Sequence, residues 1–179
     1  MKYNKIATIG VLTAFITVSG FIRIPFPVMP LTLAVFSVFF VPMLVGAQLS
    51  VAAFALYIAL GLVGVPVFAT GGGPAYILQP SFGFLLGYMF SSIPNGLISA
   101  RGKPSFWRNI LGGSVALVVL YVIGIVGLWL SLNYAQGKAV TLLNSFKSVL
   151  MFIPFDVLKL VVAATIASKL RPALAKLAE

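Results

Sequence analysis

Residues 110–132 have the sequence ILGGSVALVVLYVIGIVGLWLSL, which contains no charged side chain and is apolar almost throughout. A helix needs ~20 mostly apolar residues to cross the hydrocarbon core of a bilayer. This stretch is therefore predicted to form a membrane-spanning helix. It is the longest of six such runs, and the others lie at residues 6–21, 31–47, 49–63, 82–100 and 149–168.

The secondary structure of these runs follows from the solvent around them. A backbone exposed to lipid has to form all of its own hydrogen bonds, and the alternating pattern of a membrane barrel is absent from the sequence. The short connection at residues 46–50 predicts a helical hairpin between the second and third runs. We expect an all-α integral membrane protein, a bundle of six transmembrane helices that forms one domain over residues 1–179.

The distribution of lysine and arginine predicts how the bundle is oriented, because cytoplasmic connections carry the excess of these residues. With the N-terminus inside, the inner set is larger than the outer set and consists of Lys2, Lys5, Arg101, Lys103, Arg108, Lys169, Arg171 and Lys176. The outer set consists of Arg23, Lys138 and Lys147. Six spans with both termini cytoplasmic fit these charges, and we expect a multi-pass protein of the cell membrane.

The composition of the 179 residues excludes several classes of function. Hydrophobic residues make up 61% and charged residues only 8%, histidine and cysteine are absent, and the acids are Asp156 and Glu179. General acid–base catalysis and metal binding lack the side chains they need, so we expect no enzyme, no resident cofactor and no metal site. The net charge of +10 is spread over short intervals between apolar runs rather than gathered on one face, so nucleic acid is not the expected partner.

Two charged residues lie inside the last apolar run. Asp156 and Lys159 have the i, i+3 spacing that places both side chains on one face of a helix. Charges inside a membrane span cost several kcal/mol unless they face a bundle interior or a watery cavity, so by default they indicate a functional site. The structural alternative is an ion pair that locks two helices together.

The segment from residue 64 to residue 83 is the second candidate site. Its consecutive glycines allow close backbone approach, so their N–H groups are candidates for binding a polar or anionic ligand group, and aromatic and polar side chains accompany them. A plain flexible loop has the same composition. The candidate ligand contacts here are Phe68, Gly71, Gly72, Gly73, Tyr76, Gln79 and Ser81.

The first apolar run has a face of small residues. Ala7, Gly10 and Ala14 recur at i, i+3 and i+7, and such faces let another helix approach closely in lipid. Two interpretations are open, which are packing inside this bundle and docking of a partner subunit.

The source of energy for any transport is also restricted. The sequence has no phosphate-binding loop, and its one intramembrane acid does not form the chain of polar groups that an ion-coupled carrier uses. If this chain moves a solute, the energy comes from another subunit.

Several ordered blocks together resemble the BioY family, the biotin-specific substrate-capture subunits (S components) of energy-coupling factor (ECF) transporters. The blocks are Ile24-Pro25-Phe26-Pro27, Pro30-Leu31-Thr32-Leu33, residues 61–68, Gly71-Gly72-Gly73, residues 80–88 and Asp156-x-x-Lys159. The resemblance implies a six-helix membrane fold that binds biotin from outside. It also implies a transmembrane coupling subunit and a pair of cytoplasmic ATPases as partners, with the small face of the first helix docked on the coupling subunit.

Biotin has a neutral ureido ring and an aliphatic tail that ends in a carboxylate. We expect Asp156 to accept ureido N–H bonds and Lys159 to hold Asp156 and to be a candidate donor to the ureido oxygen. The Gln79 amide is expected to complete the polar ring. Phe68 and Tyr76 are expected to cover the bicycle, while the glycine amides meet the carboxylate. The sequence has no arginine between Arg23 and Arg101, so the third and fourth runs offer the carboxylate no basic side chain.

Three other functions are left open by the sequence. An S component for lipoate or another small carboxylated cofactor would use the same general architecture. A self-sufficient secondary carrier would take up its solute alone, driven by an ion gradient. A structural subunit of a membrane complex would bind no ligand at all.

Overall fold

The computed structural model describes residues 4–25 and 30–178, with side chains described as far as residue 173. Long apolar helices follow one another along the chain. The α-helices are α1 (Lys5–Phe21), α2 (Ala34–Leu62), α3 (Phe82–Ser99), α4 (Phe106–Leu130), α5 (Leu142–Val149) and α6 (Ile153–Ala178). Shorter helical turns lie at Pro74–Leu78, Ser131–Ala135 and Leu150–Phe152.

Length and composition identify this chain as a helical membrane protein. Three helical segments are long and apolar enough to cross a bilayer, namely Ala34–Leu62, Phe106–Ala135 and Leu142–Ala173, and α1 is a shorter apolar helix. The all-α prediction holds for these elements, with one addition. Strand β1 (Arg23–Ile24) pairs with strand β2 (Leu31–Thr32) in a short antiparallel ladder after α1.

The second and third predicted runs both lie within α2, which is interrupted at Gly46. This residue has φ 79° and ψ −179°, a conformation that is not helical and that favours glycine. One turn earlier, Pro42 has no N–H to donate to the carbonyl of Val38. The side-chain amide of Asn95, on α3, donates to that carbonyl at 3.2 Å and to the carbonyl of Phe39 at 3.0 Å. The irregular part of α2 is therefore satisfied by a neighbouring helix.

Small residues set the distance between α3 and α4. A Cβ atom on Gly83 would lie 2.6 Å from the Cα of Gly127, and a Cβ on Gly87 would lie 3.0 Å from the carbonyl oxygen of Leu120. Such close contacts require glycine at residues 83 and 87, as is common where helices associate in lipid. The close packing of these two helices fixes the positions of the tyrosines that they carry.

The last predicted run begins in a bend rather than in a continuous helix. The turn Leu150–Phe152 separates α5 from α6, and Asp156 lies in the first turn of α6. Helix α6 packs against α2 and α4. The bend thus directs the start of α6, with its aspartate, into the space between those helices.

Candidate ligand-binding cavity

A partly open cavity lies among α2, α3, α4 and α6, beneath the described parts of two connections, which are residues 22–25 with 30–33 and residues 63–81. We call this end of the bundle the loop end. The cavity has a volume of about 60 Å³. Its apolar walls include Val35, Phe84, Leu85, Leu120 and Phe152. Its polar lining consists of Thr32, Tyr57, Tyr76, Ser81, Tyr88, Tyr121 and Asp156.

Asp156 is the acidic residue of this cavity, and its position is fixed from two sides. Its side chain is buried, with 3% of the residue exposed. One carboxylate oxygen accepts a hydrogen bond of 2.8 Å from the Tyr121 hydroxyl, and the other accepts one of 2.8 Å from the ammonium of Lys159. Lys159 also donates to the carbonyl of Thr32 at 2.8 Å. Lys159 therefore ties α6 to β2.

The two partners leave acceptor capacity on the carboxylate. A carboxylate has about four lone-pair positions, of which Tyr121 and Lys159 use one each. Among the described residues the cavity lining includes Asp156 and not Lys159, so the ammonium supports the carboxylate from behind. A ligand that offers N–H donors can therefore bind Asp156 without displacing either partner.

Four of the six tyrosines in the chain line this one cavity. Tyr57 comes from α2, Tyr88 from α3, Tyr121 from α4 and Tyr76 from the turn after the glycines. Only Tyr76 was among the predicted ligand contacts. The available signal was that each buried tyrosine hydroxyl needs a polar partner, which lipid does not supply.

Tyr76 and Phe68 form the roof of the cavity in two layers. The Tyr76 ring lines the cavity, and Phe68 packs behind it with the ring centroids 4.4 Å apart. The Tyr76 hydroxyl accepts a hydrogen bond from Ser81 at 3.1 Å and is bonded to the Thr70 hydroxyl at 3.0 Å. Phe68 is almost fully buried because its ring fills the space above Gly61, where a Cβ atom would lie 1.9 Å away. The expected aromatic cover is thus one lining ring with a second ring supporting it.

Two of the three glycine amides, which were expected to meet the ligand carboxylate, have carbonyl partners within the chain. The amide of Gly71 donates to the carbonyl of Phe68 at 3.2 Å, and the amide of Gly73 donates to the carbonyl of Gly61 at 2.7 Å. Gly72 approaches Val65 so closely that a Cβ would lie 2.4 Å from the Val65 carbonyl oxygen. The run folds the loop onto the end of α2, and two of its three amides already have carbonyl partners, one at the end of α2 and one in the loop.

Gln79 lies apart from the cavity. It is exposed and lines a separate surface groove together with Lys138 and Asn144. The helical turn at Pro74–Leu78 ends immediately before it, so Tyr76 and Ser81 reach the cavity while Gln79 does not. The sequence-based prediction grouped Gln79 with Tyr76 and Ser81 because the three residues are close together in the sequence.

The small face of α1 is exposed in this chain. Ala7, Gly10 and Ala14 are all exposed, and a Cβ on Gly10 would meet nothing within 4 Å. The opposite face, which includes Thr13 and Ile16, is buried. The small residues therefore do not serve packing inside this bundle.

A cavity with an apolar wall and a few polar groups, one of them a buried carboxylate, lies inside this bundle of apolar helices, which is the arrangement of a membrane protein with an internal site for a small solute. The sequence profile of the BioY family matches residues 1–176. The chain belongs to the BioY family, as its sequence blocks indicated.

Relatives and a solved structure agree with that assignment. The probable biotin transporter BioY of Lysinibacillus sphaericus is 34% identical over 130 residues, which are 72% of this chain and 66% of that protein. The biotin transporter BioY of Thermotoga maritima is 34% identical over 163 residues, which are 90% of this chain and 92% of that protein. The crystal structure of the S-component for biotin from an ECF-type ABC transporter has the same fold, with a TM-score of 0.81, 24% identity and coverage of 96% of this chain and 95% of that chain.

Proposed function

We propose that this chain binds biotin in the cavity and serves biotin uptake as the S component of an ATP-driven ECF transporter. One observation carries the proposal: a buried aspartate with unused acceptor capacity lines a cavity inside an apolar helical bundle. The BioY relatives support the choice of ligand. The protein is a transport subunit and not an enzyme, as membership of this family indicates.

The chemistry of biotin fits the lining. The ureido ring has two N–H donors and one carbonyl acceptor, so Asp156 receives the N–H groups while a tyrosine hydroxyl, from Tyr57 or Tyr88, donates to the carbonyl. The apolar part of the bicycle packs between Phe84 and Phe152, which line the same cavity. Lys159 acts through Asp156, because its ammonium already bonds that carboxylate and a backbone carbonyl.

In the proposed topology the chain crosses the cell membrane six times, and both termini are cytoplasmic. The two halves of α2 each cross the membrane, and Gly46 lies at the cytoplasmic turn between them. A Cβ on Gly46 would lie 3.5 Å from the Cβ of Ala100, which precedes the basic connection containing Arg101 and Lys103. Gly46 and that basic connection therefore lie at the same end of the bundle, as the excess of positive charge on the cytoplasmic side requires.

The partners are those implied by the resemblance to S components of ECF transporters, and the exposed face of α1 supports a docking surface for one of them. Ala7, Gly10 and Ala14 dock on the transmembrane coupling subunit, and a cytoplasmic ATPase pair supplies the energy. The whole chain, residues 1–179, acts as one membrane domain in this assembly.

Titration of the purified chain in detergent with biotin and with lipoate tests the ligand. Binding of biotin with lipoate much weaker supports the proposal, whereas the reverse order identifies an S component for a different carboxylated cofactor. Binding of neither ligand contradicts the assignment and favours a structural subunit.

Uptake by cells that produce this chain with and without an ECF module tests the partners. Concentrative biotin uptake only with the module supports the S-component role. Uptake by the chain alone, abolished by collapsing the ion gradients, identifies a self-sufficient carrier instead.

A further inference from the structure

The contacts proposed above account for the ureido ring and the bicycle of biotin but not for its carboxylate. At α6 the cavity presents Asp156, whose charge is balanced by Lys159, so this part of the site offers an anion no advantage. At the glycine run, the amide of Gly71 is bonded to the carbonyl of Phe68 and the amide of Gly73 to the carbonyl of Gly61 at the end of α2. The sequence from residue 24 to residue 100 contains no lysine or arginine. A cation for the carboxylate has to come from another segment.

The short ladder brings Arg23 to the wall of the cavity. Arg23 in β1 is the direct partner of Thr32 in β2, and residues directly opposite each other in an antiparallel ladder have their side chains on the same face. Thr32 is buried and lines the cavity. The Arg23 side chain therefore starts beside a cavity-lining residue, although Arg23 itself is exposed.

An open groove of about 500 Å³ connects Arg23 with the roof of the cavity. Its lining includes Arg23, Ala69 and Thr70, and Ala69 also lines the cavity itself. The Thr70 hydroxyl is bonded to the Tyr76 hydroxyl, which in turn accepts from Ser81. If Tyr76 donates to Thr70, the Thr70 hydroxyl is left with its own hydrogen to donate to an anion in the groove.

Three of the other described cations are held elsewhere. Arg171 donates to the carbonyls of Ser99 and Ala100 at the opposite end of α3, and Lys159 is paired with Asp156. Lys138 lines the separate groove that contains Gln79. In the part of the chain that the structure describes, Arg23 forms no ion pair with a carboxylate.

We infer that Arg23 recognises the carboxylate of the bound ligand at the mouth of the cavity, together with the Thr70 hydroxyl. The ureido ring lies at Asp156, and the aliphatic tail passes Ala69 beside Tyr76 into the groove. A guanidinium is suited to this position because its planar N–H groups match a carboxylate in a bidentate manner. This inference rests on the proposed function and adds a specificity-determining residue to it.

The test compares biotin with biotinamide, in which a neutral carboxamide replaces the carboxylate. Calorimetric titration is performed on the wild-type chain, on Arg23→Gln and on Lys138→Gln, a matched loss of charge in the neighbouring groove. The wild type is expected to prefer biotin by about tenfold to a hundredfold, the range of one charge-assisted hydrogen-bonding contact. Arg23→Gln is expected to lose that preference through weaker binding of biotin alone, and Lys138→Gln to keep it.

Unchanged binding of biotinamide by Arg23→Gln serves as the control for folding. An Arg23→Gln variant that still prefers biotin as strongly as the wild type overturns the inference. A wild type that binds both ligands equally also overturns it, while the proposed function stands. A wild type that binds neither ligand removes the proposed function, and this inference with it.

Discussion

Replacement of Asp156 by asparagine separates the binding role of this residue from its structural role. The change removes a buried charge whose oxygen lies 2.8 Å from the Lys159 ammonium. An asparagine oxygen still accepts a hydrogen bond, but the bond is no longer charge-assisted. We therefore expect two effects, one on biotin affinity and one on stability.

The expected magnitudes follow from the surroundings of the pair. A hydrogen bond to a charged group contributes about 1.5–3 kcal/mol, so biotin affinity should fall roughly tenfold to a hundredfold. Removing one partner of a buried ion pair costs about 3–5 kcal/mol of stability, because the other charge is left without its counter-charge. Lys159 keeps its bond to the Thr32 carbonyl and is 13% exposed, which favours the lower end of that range.

A double variant distinguishes the two effects. Asp156→Asn combined with Lys159→Met removes both charges, so it should recover part of the melting temperature lost in the single variant; the bond from Lys159 to the Thr32 carbonyl is lost in the double variant and limits the recovery. It should not recover biotin binding, since the carboxylate is still missing. Thr165→Val is the matched control on α6, because Thr165 is exposed and its hydroxyl bonds only within the helix, to the carbonyl of Val161.

The measurements are calorimetric titration with biotin and thermal unfolding in detergent. Wild-type affinity in Asp156→Asn would refute the role of Asp156 as a ligand contact. Equal melting temperatures in the single and double variants would show that an unpaired lysine is not the cause of the instability.

Two further substitutions test the roof of the cavity and the irregular part of α2. Gly61→Ala should weaken biotin binding and lower the melting temperature, because the new methyl group occupies the place of the Phe68 ring. The expected loss of stability is about 1–3 kcal/mol. Tight biotin binding in this variant would show that the roof is not required. Asn95→Ala should lower the melting temperature, because it leaves the carbonyls of Val38 and Phe39 without their buried donor. The expected loss of stability is about 1–3 kcal/mol, and the dissociation constant for biotin should stay the same. An unchanged melting temperature would contradict this account of α2.

The predictions from sequence succeeded where one local property decided the structure. Long apolar runs gave helices close to the expected bounds, as at Phe82–Ser99 for the predicted run 82–100. Asp156 and Lys159 form the ion pair that their spacing indicated. The ordered blocks also identified the family correctly.

The candidate site was predicted only in part, because its members come from distant parts of the chain. Tyr57, Tyr88 and Tyr121 each look like packing residues in their own apolar runs, yet they converge on one cavity. Gln79 was expected beside Ser81 but lies in another groove. The periodicity of one helix contains no information about which residues of a second helix will face it.

The amino-acid sequence by itself determined that this chain is a helical membrane protein with a lone acid–base pair in its last apolar run, because hydropathy and i, i+3 spacing act over a few residues. Only the tertiary structure decided that the acid faces a cavity, that Tyr121 lines the same cavity and that two of the three glycine amides bond to carbonyls of Phe68 and Gly61. The physical reason is that hydrogen-bond partners of buried groups are chosen by the close packing of whole helices. At Gly83 and Gly127 that packing brings two backbones into direct contact.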